Sequence, residues 1–250
     1  MTDPKTILIT GSSRGIGAAL AVHFLSRGDK VVLNYSRSTQ EAQDLYQDLR
    51  SRYGQACVQC IAADISDREQ VQSLFRQAHE HLGRVNVLIN NAGRNIDGPF
   101  LEMTDTQWDQ VLATNLTGAF ICTQEFVFQL QQQSGQIINI AASTGIHGRK
   151  NGVNYCSAKA GLLTMTKCLA LELAPRITAN CVIPGYINTE EVMTRFNLHD
   201  KTACEKMIGT IPLDRLGTTA DMCATVEFLV HHAAFMTGQS LFVNGGEYMH

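Results

Sequence analysis

At 250 residues the chain is long enough to bury a full core, and an open α/β sheet of this length forms one domain, so a single domain over 1–250 is expected. Hydrophobic residues at 44%, charged residues at 17% and 20 glycines exclude a disordered or fibrous chain. The net charge of −3 gives no general pull toward nucleic acid or acidic membranes, and no stretch approaches the length of a membrane span. Met1 to Lys5 is followed only by a brief apolar run, Ile7 to Ile9, which does not read as a secretion signal, so a cytoplasmic protein is expected. The eight cysteines are scattered through apparent strands and helices and read as reduced thiols.

Short β-branched runs alternate with longer amphipathic segments throughout, which is the pattern of βαβ units. The fold expected is a doubly wound, Rossmann-type, mostly parallel seven-stranded α/β sheet with helices on both faces. In chain order the strands are predicted at Thr6–Ile9, Lys30–Tyr35, Ala56–Ala62, Val85–Ile89, Gln136–Ile140, Thr178–Val182 and Ser240–Val243. Capping-box spacings predict helix starts at Ser38 with Glu41, Ser66 with Glu69, and Thr104 with Gln107. Cys57 and Cys60 form one C-x-x-C in a strand-like run, where residues three apart point to opposite faces and no second pair completes a zinc site. Core packing is expected there, and no metal. The segment Asn188 to Pro212 breaks the alternation between a strand and a helix and is far longer than an ordinary βα connection. Its Met193, Phe196, Leu198, Met207 and Ile208 suit a substrate lid at about 188–212, or equally two short helices packed on the core.

After the first strand comes Thr10-Gly11-Ser12-Ser13-Arg14-Gly15-Ile16-Gly17, followed by a helical run. Glycines at 11, 15 and 17 let the backbone turn sharply and approach a pyrophosphate at the positive end of that helix. At the end of the second strand, where a dinucleotide fold reads the adenosine ribose, stand Asn34-Tyr35-Ser36-Arg37-Ser38, with no carboxylate. Arg37 offers a forked donor suited to a 2′-phosphate and Arg14 adds a second charge nearby, which favours NADPH over NADH.

Downstream lie Asn90-Asn91-Ala92-Gly93, Asn115 in a long helix, Tyr155-Cys156-Ser157-Ala158-Lys159, and Pro184-Gly185 followed by Thr189. Together with the T-G-x-x-x-G-x-G turn, this set resembles the short-chain dehydrogenase/reductase family along essentially the whole chain. The segments Ile211 to Gly217 and Thr237 to Gly246 look most like the 3-oxoacyl-acyl-carrier-protein reductases within it. The resemblance implies cofactor contacts from the glycine turn (Gly11, Ser13, Arg14, Gly15, Ile16, Gly17), from Ser36 and Arg37, from Asp64 and Ile65 to adenine, from Asn91, Ala92 and Gly93 to the adenosine ribose side, and from Pro184, Gly185, Ile187 and Thr189 around the nicotinamide. It also implies that Lys159 holds the nicotinamide ribose and that Asn115 anchors a water that resupplies the proton. Independently of the resemblance, Tyr155 and Lys159 are four residues apart and share one helix face. A neighbouring ammonium favours the phenolate, so Tyr155 is expected to protonate the alkoxide formed when hydride reaches a carbonyl.

The family usually places a serine thirteen residues before the tyrosine, where its hydroxyl polarises the substrate carbonyl; here that position is Ala142. Ser143 is its neighbour and, on a strand, points to the opposite face. Three readings stand open: an introduced serine-to-alanine knock-out, favoured because the other catalytic positions are intact; a natural low-activity or non-catalytic member; or replacement by Ser143. The carrier-protein reductases also show basic residues where this chain has Gln131-Gln132-Gln133, while Arg176, another docking position, is present. The activity expected is NADPH-dependent reduction of a 3-oxoacyl thioester, carried on acyl carrier protein, with Ser143, Met193 and Phe196 at the substrate. The alternatives are a reductase of a free small ketone, sugar or quinone, and a non-catalytic NADPH-binding regulator. The resemblance further implies a homotetramer in which the helix Asp221 to His231 and the final strand pack between subunits.

Overall fold

The computed structural model of the chain describes residues 4–249. Seven parallel strands form one sheet in the order β3-β2-β1-β4-β5-β6-β7. They are β1 (Thr6–Ile9), β2 (Lys30–Tyr35), β3 (Val58–Ala62), β4 (Val87–Asn90), β5 (Gly135–Ile140), β6 (Ile177–Pro184) and β7 (Ser240–Val243). The larger helices between them are α1 (Gly15–Ser26), α2 (Thr39–Tyr53), α3 (Arg68–Leu82), α4 (Asp105–Leu112), α5 (Gly118–Leu130), α6 (Thr144–His147), α7 (Val153–Leu173), α8 (Glu190–Arg195), α9 (Lys201–Ile208) and α10 (Thr219–His231).

The two-residue period of the strands sorts their apolar side chains to two faces. Ile7, Ile9, Val31 and Leu33 pack with Leu20 and Phe24 of α1 and Val226 and Leu229 of α10. Leu8, Val32 and Leu88 face the other way, onto Leu74 and Phe75 of α3 and Phe126 and Leu130 of α5. Between β4 and β5 a buried polar chain runs through the core: Asn90 Nδ2 donates to Asn139 Oδ1 (2.9 Å) and Thr123 Oγ1 (3.1 Å), and Asn139 Nδ2 donates to Thr166 Oγ1 (2.8 Å). The winding reverses between β1 and β4, and a doubly wound sheet opens its ligand crevice at the carboxyl ends of the strands there.

Several expectations need correction. The third strand starts at Val58, two residues later than predicted, because Cys57 closes a turn onto the Gly54 carbonyl (3.2 Å). The fourth runs over Val87–Asn90. Cys57 and Cys60 do not lie on opposite faces; both pack against the α1 side of the sheet, since Cys57 precedes the strand. Of the three capping boxes only Thr104 with Gln107 forms. Ser38 makes no side-chain cap, and α3 is capped by Asp67, whose carboxylate accepts from the N–H groups of Glu69 and Gln70, while Ser66 Oγ donates to Asp64 (2.6 Å). Residues 188–212 hold two short helices, α8 and α9, with Leu198 and Ile211 buried. The chain does contain a rod of membrane-spanning length and apolarity, Asp105–Leu130 with mean hydropathy 1.2. It buries Val111, Asn115, Phe126 and Leu130, so it serves as a core helix of this sheet.

Candidate active site at the carboxyl ends of the strands

Thr10 organises the crevice. Its hydroxyl oxygen accepts from the N–H groups of Asn91 and Ala92, both at 3.0 Å, and Asn91 Nδ2 donates back to the carbonyls of Thr10 and Gly11, also at 3.0 Å. The glycine turn and the Asn91–Gly93 segment are thereby one unit. Gly11 sits at φ +61°, and a Cβ there would lie 2.8 Å from Ala92 Cα; at Gly17 it would lie 2.6 Å from Asn91 Nδ2. Any side chain at either position fills the cradle. Arg14 precedes α1 in an extended conformation without a side-chain cap, and among the described residues the N–H groups of Gly15, Ile16 and Gly17 have no protein acceptor. A row of free donors at the positive end of a helix, lined by glycine and half-buried Ser13, fits a pyrophosphate.

The second wall is built on Asn34, which is buried at the end of β2. Its Oδ1 accepts from Gly11 N–H (3.3 Å), its Nδ2 donates to Ala63 O (3.1 Å), and its own N–H donates to Ser12 Oγ (2.9 Å). Just beyond it Ser36 and Arg37 are exposed, as is Arg14. Neither arginine side chain has a protein partner among the described residues. Asp64 is half-buried with its carboxylate held by Ser66, and Ile65 is buried against Gly118. At the far end Pro184 closes β6 and Gly185 follows it; Ile187 is buried and bridges Gly217, and Thr189 caps α8 by accepting from Val192 N–H (3.4 Å). Thr189 Cγ2 would lie 3.8 Å from a Cβ at Gly15, so the glycine turn and the start of α8 face each other across the crevice.

Asn115 does not sit in regular helix. Between α4 and α5 the rod widens into a π turn over Ala113–Thr117. There Asn115 Nδ2 donates to Val111 O (2.9 Å) and Arg94 O (2.7 Å), and its Oδ1 accepts from Arg94 N–H (3.3 Å). Such bulges concentrate at functional sites, and this one holds the loop after β4 against the helix.

Tyr155 and Lys159 share a face of α7, with Nζ 5.7 Å from the centroid of the phenol ring. Asn154 fixes the start of that helix by donating to Ile96 O (2.8 Å) and accepting from Tyr155 N–H (2.8 Å). The electrostatics differ from the sequence expectation. Burial pushes the Tyr155 phenol up to about 12, with Glu191 adding to the rise and Arg195 and Arg149 opposing it. Burial likewise pulls Lys159 down to about 8, and its ammonium donates to Ile140 O (2.8 Å) rather than acting on the phenol. Desolvation is the largest cause of both shifts.

This yields a stability prediction. Lys159 has an ordinary value of 10.5, and a lysine depressed on folding leaves the unfolded state holding more protons between the two values. The folded chain therefore bears the full cost of the buried ammonium below about pH 8 and is relieved of it as pH rises toward 10.5. Lys159→Met is expected to stabilise the fold by about 2 kcal/mol at pH 7 and by progressively less toward pH 10. Urea unfolding at both pH values checks this, and a destabilised variant at pH 7 would refute it.

Ala142 and Ser143 lie beyond the end of β5, so strand alternation does not govern them; Ser143 adopts αR angles just before α6. Ala142 is half-buried, whereas Ser143 is buried at 5% exposure. Gly145 of α6 packs so closely on α7 that a Cβ would lie 2.8 Å from Ala160 N, which keeps position 142 beside the Tyr155 helix. Around Met193 and Phe196, which the sequence suggested for the substrate, the structure gathers further residues that no motif singled out. Phe196 stacks edge-on to Tyr186 (5.2 Å), with Met193 half-buried on the preceding turn. Glu247 is half-buried, and burial raises its carboxyl while His147 opposes the rise. Arg149 and Arg195 both pair with Asp97. These residues come from segments distant in sequence, and only the PGY tripeptide at Pro184–Tyr186 borders a recognisable motif.

The short chain dehydrogenase family model matches residues 5–200. The 3-oxoacyl-[acyl-carrier-protein] reductase FabG of Staphylococcus aureus (strain Mu50) is 38% identical over 252 residues, covering all of both chains. Nodulation protein G of Rhizobium sp. (strain N33) is 39% identical over 245 residues, covering 97% of this chain and 96% of its own. Among solved structures, a short-chain dehydrogenase/reductase, glucose/ribitol dehydrogenase, from Brucella melitensis superposes with a TM-score of 0.90 at 30% identity, covering 98% of this chain and 97% of its own.

Proposed function

This chain belongs to the short-chain dehydrogenase family, and on that premise we propose that it reduces a 3-oxoacyl thioester on acyl carrier protein to the 3-hydroxyacyl product, using NADPH. The observation that carries the reading is the placement of Tyr155, Lys159 and Asn115 around the crevice where the glycine turn meets α8. When bound, the nicotinamide cofactor supplies the hydride. The turn from Gly11 to Gly17 holds its pyrophosphate, Asp64, Ile65, Asn91, Ala92 and Gly93 border the adenosine half, and Pro184, Gly185, Ile187 and Thr189 border the nicotinamide. Tyr155 gives the proton to the nascent alkoxide, Lys159 orients the ribose, and Asn115 holds the water that reprotonates the site. Ser143, Met193 and Phe196 border the substrate. The reductases of Staphylococcus aureus and Synechocystis, both 38% identical to this chain, support the substrate class.

Cofactor choice rests on Arg37 and Arg14, which are exposed and without protein partners among the described residues. Removing Arg37 is expected to weaken NADPH binding by about 1.5–3 kcal/mol, which is roughly 10–160-fold, while leaving NADH nearly unchanged. Isothermal titration with both cofactors measures it; equal losses would show that Arg37 does not read a 2′-phosphate.

The carrier would dock where Arg176 lies beside the α5 end. Arg176 Nη1 donates to Gln131 O (3.0 Å) and Gln132 Oε1 (2.9 Å), so the glutamine run forms an exposed helix terminus with the Arg176 cation beside it. A second reading, reduction of a free polar ketone or sugar, is favoured by Glu247, His147 and Arg149, which make part of the substrate wall polar. The same ketone offered as carrier-bound thioester and as free ester, followed by NADPH consumption, separates the two; preference for the free ketone removes the carrier assignment. We also assign the chain a homotetramer. α10 buries Met222, Val226 and Leu229 against its own sheet, yet leaves Phe228 exposed, with Phe235 fully exposed just after it. Sedimentation at micromolar concentration is expected to show four subunits, and a monomer would rule the assembly out.

A further inference from the structure

Three separated segments converge on the face of Tyr155. Arg149, in the turn between α6 and α7, places its guanidinium carbon 5.3 Å from the centroid of the Tyr155 ring. Its Nη1 and Nη2 donate to the two carboxylate oxygens of Asp97, each at 2.6 Å, and Nη2 also donates to Asn95 Oδ1 (3.1 Å). Arg195, the last residue of α8, donates to the same Asp97 carboxylate. Asn95 Nδ2 in turn donates to Glu191 Oε1 (3.3 Å) on α8. Gly152 makes room for this arrangement: a Cβ there would lie 2.8 Å from the guanidinium carbon.

A forked, two-point grip by a carboxylate orients a guanidinium far more tightly than a single contact, and the plane so held is offered to an aromatic face. A cation over a phenol ring attracts the neutral ring weakly and the phenolate strongly, so it biases the ring toward losing its proton. Arginine keeps its charge at every pH at which the fold survives, which makes the bias constant. We infer that Arg149, fixed by Asp97 over the ring of Tyr155, is a positioning residue for the reaction that makes this half-buried phenol a better proton donor. The inference rests on the reading of Tyr155 as the acid that protonates the substrate alkoxide.

Arg149 does not act on the phenol alone, since Arg195 of α8 favours the phenolate at least as strongly. On α7, Lys159 donates one N–H to the Ile140 carbonyl and lies farther from the ring centre than Arg149, at 5.7 Å against 5.3 Å, while Cys156 disfavours the phenolate. From α8, Glu191 disfavours it and Arg195 favours it, so that helix carries opposed charges. From the loop after β4, Asp97 reaches the phenol only through the two arginines it holds. Arg149 is the cation seated nearest the ring among the described residues. It also works in the direction needed at a site whose position 142 lacks a hydroxyl to share the developing charge.

The test is independent of turnover. The chain is produced with 3,5-difluorotyrosine, whose lower intrinsic pKa brings the titration into a range the fold tolerates, and the Tyr155 resonance is assigned in the fluorine NMR spectrum with Tyr155→Phe. In Arg149→Gln the Tyr155 midpoint is expected to rise by about one pH unit, and in Arg149→Lys by less than half of that. Thermal midpoints of all variants are recorded alongside. An unmoved midpoint in Arg149→Gln overturns the inference, and so does an equal rise in Arg149→Lys, which would make the effect one of shape rather than charge. If the midpoints move as expected while the chain fails to reduce any 3-oxoacyl thioester, the inference stands and the substrate reading falls.

Discussion

Ala142→Ser is expected to raise turnover by about 10²–10³-fold while leaving NADPH affinity nearly unchanged. A hydroxyl at this position would face the substrate carbonyl, where negative charge develops, and restoring one donor to a developing oxyanion is worth roughly 2.7–4 kcal/mol of barrier. The position suits that role better than its neighbour does: Ala142 is half-buried, whereas Ser143 is at 5% exposure. Exchanging methyl for hydroxymethyl there neither opens nor overfills the site, so the fold should keep its thermal midpoint. The companion variant is Ser143→Ala. If Ser143 already supplies the hydroxyl, Ala142→Ser changes little and Ser143→Ala abolishes turnover. If the chain is a non-catalytic NADPH-binding regulator, neither substitution alters the rate. Initial rates and cofactor titrations on both variants distinguish the three, and an unchanged rate for Ala142→Ser rejects the serine-to-alanine reading.

Tyr155→Phe is expected to lower turnover by about 10²–10⁴-fold with KM and NADPH affinity retained. The loss should fall on kcat alone because the phenol oxygen acts only when the alkoxide forms. Among the described residues that oxygen makes no hydrogen bond, and Asn154 secures the start of α7 through the Tyr155 backbone N–H. Burial holds the phenol at about 12, so it is protonated across the working range and able to give its proton without competition from solvent ionisation. A variant that retains more than about a tenth of the parent kcat would show that another group protonates the product.

The fold was legible where one physical preference dominated. Ile7, Leu8 and Ile9 announce a strand buried on both faces, and the glycine spacing after it announces a turn that only glycine can make. Legibility failed where two local solutions shared one spacing. Ser66 and Glu69 satisfy a capping pattern, but Asp67, one residue later, binds two helix N–H groups and takes the cap, leaving Ser66 to Asp64. The site was readable along the chain for Tyr155 and Lys159, which are one helical turn apart, and unreadable for Asp97, Arg149 and Arg195, which only the folded sheet brings together. Their ionisation was misjudged for a related reason. Sequence shows a lysine near a tyrosine, but the burial that sets both pKa values belongs to the assembled core.

Asn34 separates two tasks that lie a few residues apart. Its amide, buried and tied to Gly11, Ser12 and Ala63, holds the crevice open in one shape. Ser36 and Arg37, exposed just beyond it, bear none of that burden. On the proposed reading of Arg37, cofactor preference is an interchangeable tip on a fixed stem. On that reading, an exchange at 36–37 is expected to alter cofactor preference while Asn34 is kept, whereas a change at Asn34 itself is expected to disturb the stem and with it the recognition of either cofactor.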